Sequence, residues 1–294
     1  MLQPPELERV AEVPLELRSL ARGVQPYRHR RDDNAEIDGH QWYHTLELEP
    51  GRLTPGWFDL RDLVDTVLPS SLEGKRCLDV GTFDGFWAFE MERRGAASVT
   101  AIDLVDPRRW DWPANSEQNV VAALAARKRG GAGFELAKEA FGSSVERREL
   151  SIYDLEPAQL GEFDFVYVGS LLLHLRDPVG GLEAARSVCA GTLTLVDAID
   201  LAQTRRHPRR AVATLDAVGR PWWWKPNLAG LAGFAEAAGF ELIGLPKRLS
   251  IKPGPGHDRR LVSARLLLSR AGREHLRASW LGDPHGMVVA RPSV

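Results

Sequence analysis

From about residue 75 onward the chain alternates two patterns. Short runs rich in β-branched and aliphatic residues, "RCLDVG", "SVTAID", "VERRELSI", "FDFVYVGS", "TLTLVDAI", "FELIGLPKRLSI" and "LVSARLLLSR", are separated by amphipathic stretches at helical spacing. Those stretches are "GFWAFEMERRG", "SEQNVVAALAARKR", "PVGGLEAARSV" and "NLAGLAGFAEAAG", ended by glycine or by basic residues. Strands interleaved with helices predict an α/β fold, a Rossmann-like, seven-stranded, doubly wound sheet with right-handed crossovers. The last two runs are joined by "KPGPGHD" with no helix between them, so the final strand, centred near residue 265, is expected to run antiparallel.

Residues 1–70 read differently, as a helical, proline-punctuated and then irregular segment that forms an N-terminal cap or lid. The sheet domain is expected over residues 71–270, with a substrate-side insertion at 200–226, and residues 271–294 read as a tail. At 294 residues and 44% hydrophobic content the chain buries a sizeable core. A formal net charge of -2 disfavours a broad nucleic-acid footprint. Two cysteines far apart, with no CxxC or HExxH spacing, predict no metal site and suit a reducing compartment. The acidic N-terminus lacks an apolar signal-like centre, and no run approaches the roughly 18 apolar residues of a membrane span. A cytoplasmic protein without membrane partners is the expectation; the oligomeric state is open.

Chemistry concentrates where strands end. In a doubly wound sheet the ligand sits outside the carboxyl ends of the strands, at the first strand-to-helix turn. That turn is "LDVGTFDG", with Gly81 and Gly85 flanking Thr82 and Phe83. A nicotinamide cofactor asks for GxGxxG, and Phe83 breaks that pattern. Asp79 would repel a pyrophosphate but attract an amino-acid ammonium. The second strand ends in Asp103 and Leu104, where a carboxylate can accept both ribose hydroxyls. After the third strand, Asp154 is placed to accept from an adenine amino group while Ile152 or Tyr153 packs on the ring. Gly169 and Ser170 end the central strand and face the same ligand.

These motifs, "LDVGTFDG", "AID", "SIYDLE" and "GSLLLHLRDP", arrive in one order over roughly residues 70–270, and the chain resembles the class I S-adenosylmethionine-dependent methyltransferases. "WYHTLEL", "TPGWFDLR" and "LLLHLRDPVGGL" also resemble the branch containing the tRNA wobble-uridine (carboxy)methyltransferases. The family usually carries glycine where Phe83 stands. The segment "TPGWFDLRDLVD" departs from the tryptophan- and lysine-rich segment of the carboxymethylating members, which favours ordinary methyl transfer. The resemblance implies S-adenosylmethionine as cofactor and in-line transfer of a methyl group.

An acceptor oxygen or nitrogen that carries a proton calls for a base at the strand ends. His174 is the first candidate, with His44 of the cap and Asp197 of the fifth strand beside it; packing or capping is the plainer reading of each. Tyr43, Trp57 and Asp200 are candidate substrate contacts, with helix capping the alternative for Asp200. In "GRPWWWKPN" the side chains of Trp222, Trp223 and Trp224 must alternate faces, so at least one is available to a cavity wall. An aromatic wall and balanced charge point to a small-molecule acceptor. The basic clusters "RHRR" and "RRHPRR" keep tRNA as the alternative partner, and a cofactor-binding protein without catalysis as a further one.

Overall fold

The apolar run ahead of the glycine turn forms a central strand. The computed structural model describes residue 37 and residues 39–114, 116, 118–216, 222–257 and 280–293. In chain order its strands are β1 (Glu47–Glu49), β2 (Arg52–Leu53), β3 (Phe58–Asp59), β4 (Arg76–Val80), β5 (Ser98–Asp103), β6 (Glu146–Glu149), β7 (Phe163–Gly169), β8 (Cys189–Ala198), β9 (Ala213–Leu215), β10 (Trp224–Pro226), β11 (Phe240–Leu242), β12 (Lys247–Pro253) and β13 (Asp283–Pro292). The main sheet runs β6-β5-β4-β7-β8-β13-β12-β3, with β11 pairing β13 beyond the end of β12. The pairs among β4 to β8 are parallel, whereas β13 is antiparallel to β8, β11 and β12. This is the Rossmann-like doubly wound sheet, with nine strands among the described residues where seven are expected, because β3 of the cap and the short β11 join its antiparallel side.

Alternation along each central strand feeds two apolar clusters. Cys77, Phe165, Tyr167, Val196 and Met287 join one, with Trp87 and Phe89 of the helix Phe86–Arg93 and Phe134 of the helix Ala132–Phe141. Leu78, Val80, Val166, Val168, Leu193, Leu195 and Val288 join the other, with Leu182 of the helix Pro178–Ser187 and Leu231 of the helix Leu228–Ala237. Each fully buried Leu, Val or Phe contributes about 1.5–3 kcal/mol, so the parallel core anchors the turns that carry the site.

Two expectations change. The run near residue 265 lies outside the described residues, and among those described the antiparallel strand beside β8 is Asp283–Pro292, inside the segment read as a tail. Its pattern is weak because prolines stand near both ends and Gly286 interrupts it. Packing explains the glycine: a Cβ there would lie 2.8 Å from the side chains of Leu228 and Leu231. The cap, in turn, is not simply appended. Phe58 and Asp59 pair with Pro253 and Lys252, so its described part extends the edge of the sheet.

Candidate active site

The turn after β4 is shaped by three residues in left-handed backbone conformation, Gly81 (φ 80°), Phe83 (φ 51°) and Gly85 (φ 91°). A Cβ at Gly85 would meet the Phe89 ring at 2.4 Å, so the glycine lets the following helix start against the core. Phe83 carries a strained conformation that glycine adopts freely. Asp79, 1% exposed, ends the strand below this turn, and its Oδ2 has no hydrogen-bond partner. Burial pushes its carboxyl up to about 6. Thr82 is buried behind the turn and does not line the cavity.

A cavity of about 380 Å³ opens along the carboxyl ends of the parallel strands, a size suited to a small-molecule site. It is lined at one end by Asp79, Gly81, Phe83, Asp103, Leu104, Ile152 and Tyr153. Lys128, at the close of the helix Gln118–Lys128, donates to Asp103 Oδ2 at 2.5 Å and to the Leu104 carbonyl at 3.1 Å. Its Nζ lies 4.5 Å from the centre of the Phe83 ring and 4.8 Å from that of Trp110. Burial pushes Asp103 up and Lys128 down, and their mutual attraction opposes both shifts. The Trp110 indole donates to the Leu104 carbonyl. Tyr153 donates to Asp111 Oδ2 at 2.7 Å and accepts from the Asp177 amide. Asp154, expected at the adenine edge, is exposed and does not line the cavity; the turn Ile152–Asp154 points Ile152 and Tyr153 there instead.

The middle of the cavity is the turn after β7, where Gly169, Ser170 (φ 49°) and His174 line the wall. Asp197 lies behind it, fully buried. Its Oδ2 accepts from the amides of Leu171 (2.9 Å) and Leu172 (2.7 Å), and its Oδ1 accepts from that of Ala198 (2.8 Å). Burial pushes this carboxyl up to about 7 against those amides. It does not line the cavity, so the expectation of a base at Asp197 gives way to a strut that holds the turn. His174 stands beside Trp110, ring centres 6.2 Å apart, which places it toward the Asp103 end.

The far end is built by the cap and β13, and β10 runs along the side of the cavity toward Arg176 and Asp111. Asp84 Oδ2 accepts from the amides of Tyr43 and His44, both at 2.8 Å, while its Oδ1 pairs with His44 Nδ1. Asp84 therefore bolts the cap to the glycine turn and occupies His44, which stacks on Phe86. Tyr43 packs on Phe83 and Phe58 and lines the cavity. Trp57 packs on His257, and Phe58 meets His285 edge-on. Trp222 and Trp224 line the cavity; Trp223 turns away and donates to the Asp111 carbonyl at 2.6 Å. Asp200 does not line it: its side chain caps the helix Leu201–Arg206 through the Gln203 amide. Of the basic clusters, "RHRR" lies outside the described residues, and Arg205, Arg206, Arg209 and Arg210 are exposed and away from the cavity.

Sequence reasoning missed Asp84, Lys128, Trp110, Asp111, His257, Asp283 and His285. Asp84 sits inside the glycine turn and could have been found by asking what its carboxylate accepts; Lys128 closes a helix that the sequence shows, but its return to Asp103 has no sequence signal, and the others sit on segments that lack strand or helix periodicity or lie far along the chain. Among the described residues no group of three or more His, Cys, Asp or Glu is arranged to hold a metal ion, and no helix is long and apolar enough to cross a membrane.

Comparison with known proteins follows the same lines. The chain is 32% identical over 146 residues to a ubiquinone biosynthesis O-methyltransferase of Paracidovorax citrulli, covering 49% of this chain and 48% of that protein. It is 28% identical over 152 residues to the protein of the same name from Acinetobacter baumannii strain AYE, covering 51% of each. The chain thus spans about half the length of the curated relatives it matches. Among solved structures it is similar to the Burkholderia thailandensis 1,6-didemethyltoxoflavin-N1-methyltransferase, with 14% identity and a TM-score of 0.45 over 76% of this chain and 72% of that one. The family profile described as a methyltransferase domain matches residues 58–245, well over half of the chain. The chain belongs to the methyltransferase-domain family.

Proposed function

We propose that this chain is an S-adenosylmethionine-dependent methyltransferase that transfers a methyl group to an oxygen or nitrogen of a small-molecule acceptor. The observation that carries the reading is Asp79: a buried carboxylate at the glycine turn that lines the cavity, its Oδ2 making no close hydrogen bond while the Thr82 hydroxyl and the Ala88 amide support the group from the turn. Leaving such an oxygen unpaired costs about 1–3 kcal/mol or more, and a ligand ammonium placed there removes the cost. The donor set fits the rest of the cofactor. Gly81 allows close backbone approach, Asp103, held from behind by the buried Lys128, offers a carboxylate to the ribose edge, and Ile152 and Tyr153 form a wall for the base. When bound, S-adenosylmethionine supplies an electrophilic methyl carbon on a sulfonium.

The protein's share is position. Asp197 holds the turn that carries Ser170 and His174, and Asp84 holds the cap that carries Tyr43 over the far end. Keeping an acceptor atom about 3–3.5 Å from the reacting carbon supplies much of the acceleration. A small acceptor is favoured because the cavity lies beneath the cap and the exposed arginines of 205–210 lie outside it. Calorimetry on the full chain tests the reading: binding of S-adenosylmethionine and of S-adenosylhomocysteine is expected, and binding of neither overturns it. Salt-dependent affinity for bulk tRNA would overturn the small-molecule acceptor.

A further inference from the structure

The acceptor end of the cavity contains a histidine outside every sequence expectation. His285 is 2% exposed, yet it lines the cavity and sits on β13, where its backbone is fixed between Ala198 of β8 and Leu249 of β12. Its Nδ1 lies 3.3 Å from the Asp283 carbonyl oxygen, an acceptor only, so that nitrogen carries the hydrogen. The basic lone pair is then on Nε2, which lies 3.4 Å from Ser170 Oγ. Asp283 Oδ2 stands 3.7 Å from Nδ1 and is placed to stabilise an imidazolium once formed.

The other acids and bases of the site are committed elsewhere. Asp197 spends its oxygens on three amides and His174 stands at the Trp110 end; His44 also lines the cavity, with Nδ1 held by Asp84 and its ring stacked on Phe86, and probe ionisation lost in His44→Asn but kept in His285→Asn would assign the base to it instead. We propose that His285 is the general base for the acceptor, taking the proton of a phenolic or enolic hydroxyl at Nε2. This rests on the methyltransferase reading of the same cavity.

The hydroxyl proton passes to Nε2, and the oxygen's electron pair forms the new bond to the methyl carbon. The carbon–sulfur bond breaks with its pair returning to sulfur, which leaves the sulfonium as a neutral thioether. An imidazole removes a proton efficiently only from a group of comparable acidity, which selects a phenol or enol over an alkanol. The flat walls of Trp57, Trp222 and Trp224 suit such a ring, and Lys225 on β10 faces the same space with a positive charge to meet the developing oxyanion. Burial pulls His285 below its ordinary range, which keeps the ring neutral and ready to accept.

The test uses the full chain loaded with S-adenosylhomocysteine and two chromogenic probes, 4-nitrophenol and 4-nitrocatechol, whose colour reports ionisation. The wild type is expected to bind at least one of them and to raise its ionised fraction about tenfold over the same probe in buffer at a pH below the probe's own pKa. His285→Asn, whose amide can keep the bond to the Asp283 carbonyl while lacking a basic nitrogen, should bind the probe un-ionised. His207→Gln, outside the cavity, should leave the ionisation in place. Retained S-adenosylhomocysteine affinity and melting temperature in His285→Asn show that the variant is folded; if it is not, His285→Gln replaces it under the same criteria. Failure of the wild type to bind either probe, or ionisation that survives the loss of His285, overturns the assignment. Failure to bind S-adenosylhomocysteine at all is the separate result that overturns the methyltransferase reading.

Discussion

Asp79 and Asp197 both end parallel strands, both are fully buried, and burial raises both carboxyls, to about 6 and about 7. They differ in what they hold. Asp197 is satisfied from within by three backbone amides, whereas Asp79, a residue that lines the cavity, leaves its buried Oδ2 without a close partner. Equal burial and similar shifts therefore accompany opposite duties. The satisfied acid is part of the scaffold, and the unsatisfied one is where a ligand repays the cost of burying it. Orphaned hydrogen-bonding capacity, more than the pKa alone, separates binding groups from struts.

The sharpest way to break this contrast is Asp79→Asn. Affinity for S-adenosylhomocysteine should fall about 10- to 100-fold, the value of a charge-assisted hydrogen bond. The melting temperature should hold or rise, because a buried unpaired charge has gone; calorimetry and a thermal melt read both, and a clear drop in Tm would sink the assignment. Asp197→Asn should show the reverse. An amide can accept with only one of its two ends, so stability should fall by about 2–3 kcal/mol. That corresponds to a Tm lower by roughly 5–10 °C, with affinity changed less than about threefold once the protein is folded.

Acidity sharpens the same comparison. The folded carboxyl of Asp79 titrates at about 6, above its ordinary value of 3.8. Without ligand, this group therefore favours the fold fully at low pH and loses that contribution as pH rises through about 6. Ligand binding moves the other way: between pH 7 and pH 5 the carboxylate is neutralised, and affinity for S-adenosylhomocysteine should drop about tenfold by the same linkage. Affinity that is flat across that window would place the ammonium elsewhere. The smallest effect is expected from Phe83→Gly. It relieves about 1 kcal/mol of backbone strain while removing a ring that contributes about 1 kcal/mol against Lys128, so denaturant melts should agree with wild type within about 1 kcal/mol.

What the sequence disclosed follows from how local each feature is. Strand, turn and helix lie together over residues 76–93 around "LDVGTFDG", so the turn that carries Asp79 and Gly81 to the cavity is legible, and so is Asp103 one crossover later, while Gly85 starts the helix without lining the cavity. The parallel core is legible because both faces of each strand are buried and the apolar runs are continuous. The acceptor end is legible only in part: Tyr43, Ser170 and Trp224 stand out by residue type and place in the chain, whereas His285 reaches them on β13, which no periodicity reveals. β13 was hidden by its prolines and Gly286. Asp197 and Asp200 looked like site acids because they follow a strand in the chain, but their oxygens turn to backbone amides that the sequence does not display.

The position of β13 has a consequence for synthesis. Its residues leave the ribosome after those of every other strand described here, yet it lies inside the sheet, with β8 on one side and β11 and β12 on the other. Until residue 292 emerges, β8 is an open edge able to pair with foreign strands. The last strand to arrive closes that edge and brings His285 with it. A nascent chain can therefore build its glycine turn early, but it does not own an acceptor chamber until the sheet is sealed, so incomplete products would be sticky before they could be active.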